Sequence, residues 1–263
     1  MRTVCIHELK QNIRMLAIWS LAVSVLVLLC MIIFPDMEKQ ADDMNEMFAS
    51  MGGFTQAFGM DKISIADPMG YYGIEGGAIL GLGGALFAAL LGSRMLSKEE
   101  TEHTSEFLLT HPLSRLSVVG AKLLALIVIV LAFNGIAVAF GLASFAMIDE
   151  AIDLEGFWML HLAQCILHLE VACVCFAASA FMKRSSVGFG LGVALLLYFM
   201  NIIGNLSSDT EFVRYITPFG YADAANVLPD AAINTEYLMC GLAYMLVALV
   251  IAFIVYTRKD IAA

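Results

Sequence analysis

The sequence predicts an all-α, polytopic membrane protein with six transmembrane helices, and three observations support that fold class. Of the 263 residues, 60% are hydrophobic and only 14% are charged, whereas soluble domains carry about 25% charged residues. The mean hydropathy is +0.84. Several apolar runs are longer than the roughly 18 residues that mark a transmembrane helix. We expect a single transmembrane domain over residues 1–263.

Six segments qualify as spans: residues 13–34, 70–95, 118–147, 157–182, 187–203 and 237–256. An even number of spans places both chain ends on one side of the membrane. Three of the 14 basic residues, Lys39, Lys62 and Arg214, fall on the opposite side, which leaves 11 on the side of the termini. Lys and Arg are enriched in cytoplasmic loops. We therefore expect both termini to be cytoplasmic.

Two flanking segments predict short helices at the membrane surface. Before the first span, Ile6, Leu9 and Ile13 surround charged residues, a pattern that fits either a short amphipathic helix or a plain charged flank. The first span is too long for a signal-peptide core and no cleavage site follows it. Residues 35–68 are too short and acidic to span, and they predict interfacial helices on the outer face with a break at Gly52-Gly53.

Small residues recur along the second span at helical spacing. One row has a small residue at every fourth position, and a second row lies beside it: Gly73, Gly77, Gly81, Ala85 and Ala89, then Gly84, Ala88 and Gly92. Small residues four apart allow two helix backbones to approach closely in lipid. We expect this face to pack inside the bundle.

The connector between the second and third spans, residues 97–115, carries the densest charge in the chain. Ser97 and Glu100 have the spacing of a capping box, so a helix is predicted to begin there. Pro112 ends it, because proline lacks an amide donor and disfavours helix in the preceding residue. The connector is therefore predicted to be a cytoplasmic helix with an apolar knob at Phe107, Leu108 and Leu109.

The fourth span is the most polar one. His161, Gln164 and His168 share one helical face, and Glu170 lies near the middle. Ionisable residues inside a membrane usually face a bundle interior or a wet cavity. They are candidates for a translocation pathway, together with Glu75 near the outer end of the second span. The alternative is an interhelical hydrogen bond, for example from the fourth span to Asn134.

Two segments resemble the permease subunits of type-2 ABC exporters. The connector is similar to that family's charged cytoplasmic loop, except that His103 stands where a glycine often occurs. The matching positions are Glu99, Glu100, Thr104, Glu106, Leu108, Leu109, Pro112, Leu113, Ser114 and Arg115. The outer segment 215–225 is similar to the stretch that precedes the family's last span.

The resemblance implies a permease subunit that forms half of a translocation pathway in an ATP-driven exporter of a bacterial plasma membrane. Its partners would be a cytoplasmic ATP-binding subunit and a second permease copy or paralogue within the lipid bilayer, with no nucleic acid. The connector would couple the two subunits. The coupling residues it implies are Glu99, Glu100, Glu106, Phe107, Leu108, Leu109, Pro112 and Arg115.

The chain itself contains no Gly-Lys dipeptide and so no phosphate-binding loop. We therefore expect no enzymatic activity and no cofactor in this chain, with ATP and Mg²⁺ on the partner ATPase. No metal site is expected either, since the six cysteines lie mainly in apolar runs. The main alternative is a proton-coupled secondary transporter that uses Glu170 and His168. A membrane-embedded protease is disfavoured, because Thr104 replaces the arginine that such an enzyme needs.

Overall fold

The computed structural model describes residues 2–40, 47, 51–102 and 114–259. Six helices in it are long and apolar enough to cross a membrane, and the described residues form no strand. We number them α1 to α6: Arg2–Glu38, Pro68–Met95, Arg115–Ile148, Leu154–Ser179, Val187–Leu206 and Thr235–Arg258. All six predicted spans are confirmed. The fourth ends at Ser179 instead of residue 182.

Helix α1 is continuous from Arg2 to Glu38, so the amphipathic segment predicted before the first span is not a separate helix. Within that segment Cys5 and Glu8 are buried, while Ile6 and Ile13 are exposed. The first turns of α1 therefore pack against the rest of the bundle with a face that includes a carboxylate.

The six helices alternate in direction, which gives the bundle two ends. Helices α1, α3 and α5 start at one end of the bundle, and α2, α4 and α6 terminate there. We call it the basic end. The other is the acidic end. Side chains join elements across the basic end: Lys122 near the start of α3 contacts Met95 at the end of α2. Lys259 after α6 likewise contacts Met182 after α4.

Close packing of α2 against α4 follows from the glycines of α2, as predicted. A Cβ atom added at Gly84 would lie 2.2 Å from Nε2 of His168. One added at Gly92 would lie 2.3 Å from the carbonyl oxygen of Ala172. Any larger residue at either position would separate the helices. The outer part of α2 also contains a π-helical segment, Tyr72–Gly76.

Short helices cover the acidic end, and the first of them lies in the segment 35–68 where interfacial helices are predicted. They are Gly53–Ala57, Phe219–Ala222 and Ala224–Val227, with a 3₁₀ helix at Ser208–Tyr215. Gly52 has a φ of +49°, a conformation that glycine adopts readily, and it forms the predicted break before the first of these helices. Of the predicted outer segment 35–68, the structure describes residues 35–40, 47 and 51–68, and α1 extends into it as far as Glu38.

The connector begins with a short helix at Lys98–Thr101, but the predicted capping box at its start is wrong. Ser97 has helical dihedral angles (φ −95°, ψ −7°), and its side chain caps no backbone amide. Its hydroxyl instead donates to the carbonyl oxygen of Ser93. Ser97 follows α2 so closely that its side chain bonds back to the preceding turn. The predicted positions Glu106, Phe107, Leu108, Leu109 and Pro112 lie outside the described residues.

Candidate functional site

A fully buried lysine joins three elements at the basic end. Lys122 Nζ donates to the carbonyl oxygen of Met95 at 2.5 Å. It also pairs with the carboxylates of Glu8 at 3.2 Å and Glu99 at 2.5 Å. Lys122 is 0% exposed and Glu8 is 2% exposed. A buried ammonium group needs such partners, since an unpaired charge in an apolar interior is very costly.

A second group of contacts ties the connector to the end of α6. Lys259 Nζ lies 2.6 Å from the Glu100 carboxylate and donates to the carbonyl oxygen of Met182 at 2.7 Å. From the other flank of the connector, Arg115 donates to the carbonyl oxygens of Thr257 and Lys259. Both flanks of the connector therefore contact the same end of α6.

The first residues of the connector also contact α1 and the segment before α5. Lys98 hydrogen-bonds Gln11 and lies 3.6 Å from the Glu8 carboxylate. Thr101 accepts a hydrogen bond from the backbone amide of Ser185 at 2.8 Å. We call the charged side chains of this region the basic-end ion network: Glu8, Lys98, Glu99, Glu100, Lys122 and Lys259. It links α1, α3 and α6 to the connector.

The structure therefore brings together three of the predicted coupling residues. Glu99, Glu100 and Arg115 all lie at the basic end and engage groups of this same chain. Glu100 is buried. The residues between Glu102 and Ser114 lie outside the described part of the chain.

Sequence reasoning missed Glu8, Lys122 and Lys259 as functional candidates. Lys122 lies within the predicted third span, and an ionisable residue inside a span is itself a signal of function. In the sequence analysis Lys122 contributes only to the count of 11 basic residues on the side of the termini. Glu8 carried no comparable signal, because its burial depends on how α1 packs against α3.

The polar face of α4 makes interhelical hydrogen bonds to α2 and α3. His161 Nε2 lies 2.9 Å from the hydroxyl of Tyr72. Gln164 Nε2 donates to the carbonyl oxygen of Gly77 at 2.9 Å. His168 Nδ1 lies 2.9 Å from Asn134 Oδ1. This last contact is the interhelical hydrogen bond to Asn134 that was named as the alternative to a pathway role.

Glu170 has a different partner. It accepts a hydrogen bond from the hydroxyl of Tyr221 at 2.7 Å, and both side chains are buried. Glu170 and His168 are two positions apart on a helix, so they do not face each other. No hydrogen bond joins them within the described parts of the chain. Glu75, the remaining pathway candidate, lies half-buried in the π-helical segment of α2.

Several residues of the outer segment 215–225 contact the bundle, among them Tyr221 and Asp223. Tyr221 contacts α4 as described, and the carboxylate of Asp223 binds α5. Asp223 Oδ2 accepts hydrogen bonds from Asn201 at 2.9 Å and Asn205 at 3.0 Å. Asp223 Oδ1 accepts from the backbone amide of Ala225 at 3.1 Å. At the exposed start of the segment, a hydrogen bond to Glu236 raises the pKa of Tyr215.

The described residues contain no group of three or more His, Cys, Asp or Glu side chains that could hold a metal ion. All six cysteines are described, and all are free thiols.

The chain matches a known transporter family over nearly its whole length. The family described as ABC-2 family transporter protein matches residues 2–261. No curated protein matches the chain significantly. Because the match covers far more than half of the chain and the structure has six candidate spans, the chain belongs to the ABC-2 family of transporter membrane proteins.

Proposed function

We propose that this chain is the permease subunit of an ATP-driven exporter, and that it binds a separate cytoplasmic ATPase through residues 97–115. The observation that supports the proposal best is the attachment of the connector. Its first residues and Arg115 are tied to α1, α3 and α6 by buried or half-buried polar contacts. A force applied to the connector would therefore reach three spans.

The ATPase supplies the energy in this proposal, and this chain supplies the pathway. The sequence has no phosphate-binding loop, so ATP and Mg²⁺ would bind the partner. Members of the family generally pair with ATPase subunits. Closure of two ATPases on ATP would favour one arrangement of the spans over another through differential binding.

The basic end faces the cytoplasm in this proposal, since 11 of the 14 basic residues belong to it or its loops. The location is then a bacterial plasma membrane, with both termini inside. A second permease copy or a paralogue completes the pathway. Helices α5 and α6 are the least buried of the six, with 22% and 11% of their most apolar 18-residue stretch buried. They therefore leave surface for lipid and for a second subunit.

Purification in mild detergent from the native membrane tests the proposal. We expect an ATP-binding protein to co-purify with the wild-type chain. Introducing Phe107→Asp together with Leu108→Asp should remove that protein, because charge in an apolar knob prevents it from filling a groove. Phe212→Asp is the matched control: Phe212 is 63% exposed at the acidic end, so this variant should keep the ATPase. Equal recovery from both variants would refute the connector as the binding site.

A further inference from the structure

A small cavity near the acidic end is lined by several polar side chains. It has a volume of about 50 Å³ and lies between α2, α4, α5 and the outer segment. Its lining includes the polar residues Gln164, Tyr198, Asn201 and Asp223. Gly73 and Ile74 also line it, and both belong to the π-helical segment of α2. Such segments are rare and occur frequently at functional sites.

The hydrogen-bond partners of the two amides determine which of their atoms is left without a partner. Gln164 bonds the carbonyl oxygen of Gly77, and Asn201 bonds the carboxylate of Asp223. Both partners are acceptors, so the nitrogen of each amide must face them. The opposite atoms, Gln164 Oε1 and Asn201 Oδ1, are buried and have no hydrogen-bond partner among the described residues. Gln164 is 2% exposed and Asn201 is 4% exposed.

Asp223 adds a negative charge to this lining. Its three hydrogen bonds come from neutral groups: two side-chain amides and one backbone amide. These donors hold the carboxylate in place without neutralising it. No Lys, Arg or His lies within ion-pair distance of Asp223 in the described ranges. The nearby Lys62 bonds Asn226 instead.

We propose that this cavity binds a small monovalent cation through the amide oxygens of Gln164 and Asn201 and the carboxylate of Asp223. A positively charged group would satisfy the two buried amide oxygens that lack a partner and the half-buried carboxylate that has no cationic partner. A divalent ion such as Ca²⁺ would take six to eight oxygen ligands and usually several carboxylates.

The size of the cavity limits the ligand further. About 10–15 Å³ of such space admits one water molecule, so 50 Å³ holds an ion with one or two waters. Two kinds of ligand offer the required single positive charge: a free alkali or ammonium ion, and the ammonium head of a larger molecule. Either one would bridge α4, α5 and the outer segment, because each ligand residue lies on a different one of these elements.

Thermal unfolding of the purified protein in detergent tests the site without any ATPase. The salts to compare at equal ionic strength are NaCl, KCl, NH₄Cl and the chloride of N-methylglucamine, a cation too large for the cavity. A ligand that binds only the folded state stabilises it with the logarithm of its concentration. We expect at least one small cation to raise the unfolding midpoint by roughly 3–5 °C for each tenfold increase above its dissociation constant.

Matched variants assign the effect to the cavity. Gln164→Leu combined with Asn201→Leu removes both amide oxygens and should abolish the difference between small and large cations. Asn205→Leu is the control, since it also loses a hydrogen bond to Asp223 but does not line the cavity. It should keep the cation dependence. The comparison is between salts within each variant, so a lower midpoint of the variant itself does not affect the result.

A further set of salts distinguishes a free cation from the ammonium head of a larger molecule. Methylammonium and longer n-alkylammonium chlorides replace the inorganic salts for the wild-type protein. Stabilisation that increases with chain length indicates the head of a larger molecule, whereas stabilisation by inorganic ions alone indicates a free ion. Equal midpoints in all salts, or a cation effect that survives in the Gln164→Leu/Asn201→Leu variant, would overturn the proposal and leave water as the occupant. Neither result would bear on the binding of an ATPase.

Discussion

The ammonium group of Lys122 lies 3.2 Å from the carboxylate of Glu8, and both side chains are buried. Helices α1 and α3 therefore share a charge pair in the interior of the basic end. Glu99 adds a second carboxylate on the same lysine from the start of the connector. Because Glu99 binds the lysine of this pair, the position of the connector depends on how α1 packs against α3.

Replacing Lys122 by methionine should destabilise the protein strongly. The substitution leaves the buried Glu8 carboxylate without its main cation, and breaking a buried pair costs about 3–5 kcal/mol. The midpoint of thermal unfolding in detergent measures the effect. Lys10→Met is the control. Lys10 is exposed on α1 at the same end of the bundle, so its replacement should change stability by less than about 0.5 kcal/mol.

A compensating change separates charge pairing from simple packing in the same experiment. Glu8→Gln introduced into the Lys122→Met background should recover part of the lost stability, since it removes the unpaired charge. If Lys122→Met behaves like Lys10→Met, or if Glu8→Gln worsens the double variant, the ion pair does not stabilise this end of the bundle.

Tyr221→Phe tests the contact between the outer segment and α4. The variant removes the only donor to the buried Glu170 carboxylate within the described residues. Leaving a buried acceptor unsatisfied costs about 1–3 kcal/mol. Tyr215→Phe is the matched control, because Tyr215 is 40% exposed and bonds an exposed glutamate. Comparable unfolding midpoints for the two variants would show that the buried hydrogen bond is not formed.

Gly84→Ala should weaken the packing of α2 against α4. The new methyl group would lie 2.2 Å from His168 Nε2, and overpacking of this kind costs about 1–3 kcal/mol. Gly135→Ala has no neighbouring atom within 4 Å, so it should be neutral or stabilise α3 by about 0.5–1 kcal/mol. The unfolding midpoint should fall for Gly84→Ala and should stay the same or rise for Gly135→Ala. A stabilising Gly84→Ala would mean that α2 and α4 are not in close contact.

Reporter fusions test which end of the bundle faces the cytoplasm. Green fluorescent protein fused after Ala263 should fluoresce, and alkaline phosphatase at the same position should be inactive. A fusion of each reporter after Ile152, between α3 and α4, should give the reverse. This expectation follows from the excess of Lys and Arg at the basic end. Active phosphatase at Ala263 would invert the proposed topology.

The sequence predicted the parts of the fold that depend on local composition. The six spans follow from the length and hydropathy of each segment, and the small residues of α2 indicated close packing inside the bundle, although not that α4 is the partner. A hydrogen bond from the fourth span to Asn134 was named as an alternative, because polar residues inside spans need partners, and His168 makes it. These inferences need only the periodicity of a helix and the cost of an unpaired polar group in lipid.

Contacts between distant elements could not be predicted in the same way. Tyr221 is 51 positions from Glu170, and no local pattern indicates that a short outer helix reaches the middle of α4. The capping box at Ser97 was wrong, because a matching spacing of residue types does not determine the dihedral angle of the capping residue. The burial of Lys122 on α3 depends on two carboxylates from other elements, Glu8 on α1 and Glu99 in the connector.

The central claim is that an ATPase binds the connector, and a photo-cross-linking amino acid placed at position 107 tests it most directly. The residue is introduced into the full chain in the native membrane, and cross-linked proteins are identified by mass spectrometry. The same residue at position 212, at the acidic end, is the control. We predict that an ATP-binding subunit is captured from position 107 and not from position 212. Capture of no ATP-binding protein from position 107, or equal capture from both positions, would contradict the proposed coupling.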